Sequence, residues 1–243
     1  MSMPKKSSTA LLLLFLLLAS YLVCHAEQPR PGGRTLRYRI TSRGLGVGEL
    51  KTVTSPAPQA GNRAVRFESD LAIDANLLFF KVSTRSREAA VIAEQGTLSY
   101  RRQGQENGKN STVEAALEGE AFRFKVNENG VPRTVVVPRS SYDFTTMDCP
   151  ETTMQREGDT MEVRLLDLEQ ARVVKRKFHW LRSEEIEIGG KRLHCRVVDF
   201  SDPNSSCRRW VSNERGVVIV RQDGKGKSGN YTLRLVSVQE GPS

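Results

Sequence analysis

Few residues in this chain could act as a base or a nucleophile at neutral pH. Apart from His25, the chain has two histidines, His179 and His194. His179 stands between Phe178 and Trp180 in a strand-like segment, so its side chain points to the opposite face from theirs. That position indicates a surface histidine. The chain has no G-x-S-x-G elbow, no H-E-x-x-H helix and no C-x-x-C zinc spacing. We therefore expect no enzyme activity, no catalytic residue, no metal and no cofactor.

The glycine-rich and basic segment 224–229 resembles a phosphate-binding loop only in part. That motif needs a glycine where this chain has Arg221, and it needs a helix after the loop. The residues that follow, from Asn230 to Leu233, read as a strand. The segment therefore predicts a flexible basic hairpin tip.

Three cysteines follow the N-terminal segment, and an exported protein favours a disulfide among them. Cys195 and Cys207 flank a predicted hairpin turn at 201–204, so we expect their strands to be neighbours. Folding about that turn places Cys207 opposite Asp199, and a bridge between the two cysteines would need a bulge or a shifted turn. Cys149 paired with either cysteine is the alternative.

Two segments combine aromatic and basic residues in alternation. In one, Phe122 and Phe124 alternate with Arg123 and Lys125. In the other, 173–182, one face of a strand would carry Val174, Arg176, Phe178 and Trp180, and the other face would carry Lys175, Lys177, His179 and Leu181. A curled sheet directs its apolar faces inward. We therefore expect four aromatic side chains to line a ligand site: Phe122, Phe124, Phe178 and Trp180.

The elements that position these residues are strands. Alternation of apolar and charged residues recurs along the chain, and tight-turn pairs separate the runs: Asn107-Gly108, Asn129-Gly130 and Gly189-Gly190. The segment from Ser140 to Met154 lacks this alternation and predicts a crossover or a lid between an N-terminal and a C-terminal set of strands. The fold class predicted is all-β with little helix. A single curved antiparallel meander would form a partly closed barrel or a two-layer sheet.

The N-terminus predicts export. Lys5 and Lys6 precede an apolar run of 14 residues from Ala10 to Val23, shorter than a membrane span, and small residues follow at a cleavage site. We expect a signal peptide at 1–26, a tether at 27–34 and one antiparallel β domain at 35–243. A retained membrane anchor and lipidation at Cys24 are the less favoured alternatives. The location would be periplasmic or secreted.

The predicted location determines which anionic partners this basic chain would meet. The net charge is +9, and without Lys5 and Lys6 it is +7, from 35 basic against 28 acidic residues. Outside the cytoplasm, such a charge favours an envelope lipid or an anionic glycolipid over nucleic acid. It also allows peripheral contact with a membrane.

The order of short motifs resembles that of a family of exported bacterial β-rich proteins of unknown function. The motifs that carry the resemblance are Tyr38-Arg39-Ile40 with 44–49, the run 158–168, Arg209-Trp210-Val211-Ser212 with 216–218, and the final strand at 229–233. Such families are distantly similar to envelope lipoprotein carriers with open barrels. The resemblance implies an open β-barrel outside the cytoplasm. The function expected is an exported, non-enzymatic envelope protein that binds a lipid or other amphiphile in a concave sheet. The alternative is a structural or interaction protein of the envelope with a filled core and no ligand.

Overall fold

The computed structural model describes residues 33–61, 63–77, 80–203, 205–214, 216–226 and 229–241. The predicted signal peptide, most of the tether and their cleavage site lie outside the described residues. The described strands are Arg34–Ser42 (β1), Leu45–Pro56 (β2), Val65–Leu77 (β3), Phe80–Ala93 (β4), Gly96–Glu106 (β5), Lys109–Glu118 (β6), Ala121–Glu128 (β7), Val131–Pro138 (β8), Phe144–Thr145 (β9), Thr160–Asp167 (β10), Arg172–Ile188 (β11), Lys191–Asp202 (β12), Ser205–Ser212 (β13), Val218–Gly226 (β14) and Gly229–Glu240 (β15).

Helical structure in the described part consists of three short 3-10 turns. They are Pro58–Ala60, Arg139–Ser141 and Pro150–Thr153. No helix among the described residues is long and apolar enough to cross a membrane. The predicted all-β class with little helix is confirmed.

One sheet contains all fifteen described strands. Its order is β8-β7-β6-β5-β4-β3-β2-β1-β15-β14-β13-β12-β11-β10-β9. Two meanders therefore lie side by side, and the pairing of β1 with β15 joins them. Every pairing is antiparallel except that of β9 with β10, which is parallel. A sheet of this size cannot stay flat.

The sheet curls until one edge meets a strand near its opposite edge. The hydroxyls of Thr97 on β5 and Thr145 on β9 are 2.8 Å apart and buried. β9 is an edge strand, whereas β5 lies three strands inside the opposite edge. The result is a barrel-like structure that overlaps itself and does not close strand to strand.

The two edges are protected from pairing with other chains. β8 carries Pro132 and Pro138, which have no backbone N–H to donate. β9 is two residues long. Short strands and prolines are the usual means of blunting a sheet edge.

The predicted tight turns are confirmed. Asn129 and Gly130 have φ angles of 54° and 86°, and Gly189 and Gly190 have 57° and 76°. In each case the flanking residues are paired directly, which makes a two-residue hairpin. Positive φ at both positions favours glycine and asparagine. The segment between β8 and β10 is also confirmed as a crossover.

The predicted disulfide between Cys195 and Cys207 is not formed. Cys149, Cys195 and Cys207 are buried thiols. Cys207 pairs with Phe200 rather than with Asp199, so it lies five residues along β12 from Cys195. At the rise of a β-strand, that offset is about 17 Å. A disulfide bridges Cα atoms less than about 7 Å apart.

Candidate functional site

The four aromatic side chains that we expected to line a ligand site are buried. Their exposed fractions are 0% for Phe122, 0% for Phe124, 2% for Phe178 and 7% for Trp180. They lie on β7 and β11, which are not neighbours in the sheet, yet all four belong to one continuous apolar cluster. The ring centroids of Phe122 and Phe124 are 5.3 Å apart, and that of Phe178 is 5.8 Å from that of Phe200. Their role in binding stays a prediction.

The inner face of the C-terminal meander also holds a buried arginine, Arg209 on β13, which is 1% exposed. Its guanidinium donates to Glu151 Oε1 at 2.6 Å and to Gln222 Oε1 at 2.9 Å. Gln222 Nε2 in turn donates to the Tyr231 hydroxyl at 2.7 Å. This network ties the crossover, which carries Glu151, to β13, β14 and β15.

A second buried arginine lies nearby on β11. Arg176 forms an ion pair of 2.7 Å with Asp202, and both side chains are at least 96% buried. The Phe200 ring lies close to both guanidiniums, at 5.0 Å from Arg176 and 4.5 Å from Arg209. Alternation had placed Arg176 on the same face as Phe178. The structure confirms that placement and shows that the face is buried.

A third ionic cluster joins the two meanders where the sheet curls onto itself, and we call it the seam. Arg102 on β5 lies 2.7 Å from Glu169 Oε1, and Glu169 belongs to the turn between β10 and β11. The same Nε atom lies 3.5 Å from Glu88 Oε1 on β4. Asp167 is also buried at the end of β10. The seam therefore contains Arg102 with two buried carboxyl partners, and a third buried carboxyl group, that of Asp167, acts electrostatically on both of them.

Burial controls protonation in the seam. Loss of solvation raises the pKa of Glu88 to about 7, against the opposing charge of Arg102. The pKa of Glu169 is raised well above its ordinary value by burial, again against Arg102, and burial raises the pKa of Asp167. Charged carboxylates are costly in such surroundings. The seam therefore takes up protons at a higher pH than exposed carboxyl groups do.

Sequence reasoning missed these buried polar groups, although two glycines inside strands signal them. A Cβ atom on Gly104 would lie 2.6 Å from a guanidinium nitrogen of Arg102. A Cβ atom on Gly224 would collide with the ring of Tyr231. A glycine within a strand often marks such a close approach. Each glycine here makes room for a large buried polar side chain.

A groove of about 990 Å³ crosses the sheet from β15 and β1 to β6. The exposed side chains that line it come from the face opposite the apolar core, so we call it the outer groove. Its charged lining consists of five cations and two carboxylates: Arg37, Arg39, Lys51, Arg85, Arg87, Glu49 and Asp70. The groove carries a net charge of +3.

Most cations of the outer groove have no ionic partner among the described residues. Arg87 is paired with Asp70 at 2.8 Å. In contrast, no ion pair or side-chain hydrogen bond within the described residues involves Arg37, Arg39, Lys51 or Arg85. These four cations are available to an external anion.

The register also places like charges side by side. Arg37 is directly opposite Lys51 across β1 and β2. Arg39 is directly opposite Arg234 across β1 and β15. Like charges in directly opposed positions destabilise a sheet. An anion bound between them would relieve that repulsion.

The histidines offer no comparable site. His179 and His194 are both exposed on strands, as the alternation indicated for His179. Among the described residues, no group of three His, Cys, Asp or Glu side chains is arranged to hold a metal ion. Among the described surfaces, the outer groove is a candidate ligand site because of its volume and its unpaired cations.

Comparison with known proteins supports the fold. No protein-family model matches the chain. A search of curated proteins also finds no match. Among solved structures, the chain is similar to the β-barrel-like protein of domain of unknown function DUF1849 from Brucella abortus, with a TM-score of 0.61 and 12% identity over 88% of this chain and 100% of that one. It also aligns with the hypothetical lipoprotein YmcC from Escherichia coli at a TM-score of 0.31 and 10% identity, over 99% and 100% of the two chains. The first likeness shows the barrel-like fold.

Proposed function

We propose that this chain is an exported, non-enzymatic protein of the bacterial cell envelope that binds an anionic amphiphile in the outer groove. One observation carries the proposal: four cations that have no ionic partner in the described part of the chain line a groove of about 990 Å³. Solubility alone would not favour Arg37 and Lys51 in directly opposed positions, because like charges placed so destabilise a sheet.

The chemistry of the groove favours an anionic headgroup. Arginine binds phosphate through two parallel hydrogen bonds, and lysine adds a compact charge. Val236, which is 46% exposed, lies at one end of the groove. Apolar contact with an acyl chain is therefore available beside the cations.

Export is part of the proposal and is supported by the sequence. Lys5 and Lys6 precede an apolar run that is too short to span a bilayer. In the envelope, a basic groove would meet anionic lipids and glycolipids rather than nucleic acid.

A structural role for the protein in the envelope is the second candidate function. Its support is the buried inner face, where Phe122, Phe124 and Phe178 are at most 2% exposed and buried ion pairs lie in the same interior. In that role the core would hold no ligand, and the outer groove would bind nothing specific.

Vesicle binding separates the two candidates. The mature chain should sediment with phosphatidylcholine vesicles that contain an anionic phospholipid and should not sediment with pure phosphatidylcholine. The paired change Arg37→Gln with Arg39→Gln should weaken that binding by about fivefold per charge removed. Arg192→Gln is the matched control, because Arg192 is exposed on β12 and lies outside the groove. Equal binding by the groove variant and the control would contradict the proposal.

A further inference from the structure

Side chains, rather than a ladder of backbone hydrogen bonds, join the two sides of the seam. One side is formed by β4 and β5, and the other by the crossover and the turn at 168–171. β9 pairs with β10, and β5 pairs with β4 and β6, so no pairing among the described strands joins β9 to β5. The contacts between the sides include the hydroxyls of Thr97 and Thr145 at 2.8 Å and the ion pair of Arg102 with Glu169 at 2.7 Å. The two sides can therefore separate while the sheet stays intact.

Packing beside the seam leaves a cavity of about 210 Å³. The turn that joins β4 to β5 lines one side of this cavity with residues 94–97. The crossover lines the other side with Tyr142, Thr145 and Cys149, among others. A region with few packed contacts opens at a lower cost in free energy than a densely packed core does. The cavity thus marks a place where the two sides separate more easily.

The closed seam brings acidic groups of both meanders together. Burial raises the pKa values of Glu88, Asp167 and Glu169, so closure favours their protonated forms. As the pH rises, these groups lose protons, and the closed seam must hold more negative charge away from water, which is costly. The titratable and charged groups that act on these carboxyl groups, or are themselves among them, are Glu88 on β4, Tyr100, Arg102 and Glu106 on β5, Asp167 on β10, Glu169 in the turn, and Arg172 and Arg176 on β11.

Each side keeps a counterion of its own when the two sides separate. Arg102 lies 3.5 Å from Glu88, and both belong to the first meander. Arg172 and Arg176 act on Asp167 within the second meander. Glu169 is the group that loses Arg102, and water would solvate it in the exposed turn. Separation therefore relieves the buried negative charge and leaves no arginine buried without a partner, which would be strongly destabilising.

We infer that the seam is a pH-dependent latch: as its carboxyl groups lose protons, β4 and β5 separate from the crossover and from the turn at 168–171. The pairing of β1 with β15 continues to hold the two meanders together. Low pH keeps the latch closed, and a rise in pH favours the open form. The latch is independent of the proposed binding in the outer groove.

Cys149 is a native reporter of this opening. It lines the cavity beside the seam and is 1% exposed, whereas Cys195 and Cys207 lie on β12 and β13 and do not line that cavity. The mature chain is labelled with N-ethylmaleimide at about pH 5 and about pH 8, and peptide mass spectrometry measures the rate at each cysteine. Each rate is divided by the rate of the same cysteine in the urea-unfolded chain at the same pH, which removes the titration of the thiol.

The corrected rate at Cys149 should rise at least about tenfold from about pH 5 to about pH 8, because loss of protons favours the open form. At about pH 8 it should also exceed the corrected rates at Cys195 and Cys207 by at least about tenfold, since these thiols become accessible only on global unfolding. Glu88→Gln should lower the Cys149 rate at about pH 8 by at least about tenfold and change it little at about pH 5. Glu114→Gln is the matched control and should behave as the wild type, because Glu114 is exposed and paired with Arg101.

Three results would overturn the latch. Equal corrected rates at all three cysteines would show that the chain opens only by global unfolding. A Cys149 rate that does not change with pH would show that the seam opens without control by its carboxyl groups. A Cys149 rate that is the same in Glu88→Gln and in the wild type at about pH 8 would exclude Glu88 from that control. The pH comparison within the wild-type chain decides the first two results even where Glu88→Gln fails to fold.

Discussion

From the buried carboxyl groups of the seam we predict that the stability of the fold depends on pH. Glu88→Gln measures the contribution of Glu88 to that dependence. Glu88 is 3% exposed, and burial raises its pKa from 4.5 to about 7. The folded protein therefore holds a proton on Glu88 that the unfolded chain releases at lower pH. Where the folded state binds more protons, stability falls as the pH rises. The wild type should lose stability between about pH 4.5 and about pH 7 through this group.

The magnitude follows from the size of the shift. About 2.5 pKa units at 1.36 kcal/mol per unit correspond to roughly 3 kcal/mol. The amide introduced by Glu88→Gln would imitate the protonated carboxyl group and would leave Arg102 paired with Glu169 at 2.7 Å. The variant should therefore match the wild type near pH 4.5 and exceed its stability by up to about 3 kcal/mol above pH 7.

Urea unfolding of both proteins at about pH 5 and about pH 8 measures this difference. Glu114→Gln is the matched control, because it removes an exposed carboxylate, paired with Arg101, from the neighbouring strand β6. Its effect should stay within about 1 kcal/mol at both pH values. A stability difference between Glu88→Gln and the wild type that is the same at both pH values would refute the reasoning. So would a variant that is less stable than the wild type at about pH 8.

Three further predictions concern the core, the thiols and export. Phe178→Ala should destabilise the fold by about 3 to 5 kcal/mol, measured by urea unfolding. If uptake of a fluorescent fatty acid falls by more than this loss of stability explains, Phe178 lines a ligand site. If it does not, Phe178 belongs to a filled core. Cys195 and Cys207 should react with a thiol reagent only after unfolding, because both are buried and burial raises the pKa of Cys195 to about 12. Fast labelling of the native protein would contradict this, and so would an intact mass that shows a disulfide. The intact mass of the exported protein should correspond to a start near Glu27, and a mass that includes 1–26 or an attached lipid would contradict cleavage there.

Local sequence patterns were sufficient to predict the strands and their turns. The burial pattern of β7 alternates as expected, with Phe122, Phe124 and Val126 buried. The asparagine and glycine pairs adopt the positive φ angles that their residue types favour. These features depend on neighbours in sequence, which is why a pattern of period two reveals them.

The register between strands was harder to predict. The turn between β12 and β13 places Cys207 opposite Phe200, one residue away from the expected Asp199. An offset of one residue exchanges the two faces of a strand. The disulfide depended on that register and on the length of the strands, so it could not be predicted from the spacing of cysteines alone.

The buried ion pair that joins the two meanders depends on a contact that no local pattern contains. Arg102 and Glu169 are far apart in sequence and meet only because the sheet curls.

The outer groove was missed for a related reason. Its cations come from β1, β2 and β4, and each looks like an ordinary solvated residue on its own strand. Only the register of the folded sheet shows that they converge and that some of them oppose one another.

The two charged sites share a strand, and this links the fold to the proposed binding. On β4, Glu88 points into the seam, whereas Arg85 and Arg87 point into the outer groove. A shift of β4 by one residue would place the arginines inside and Glu88 outside. It would leave Arg102 with one fewer acidic partner in the core and would put a carboxylate among the groove cations. The seam and the groove therefore favour the same register of β4, and the seam holds that strand in the position in which its arginines face the outer groove.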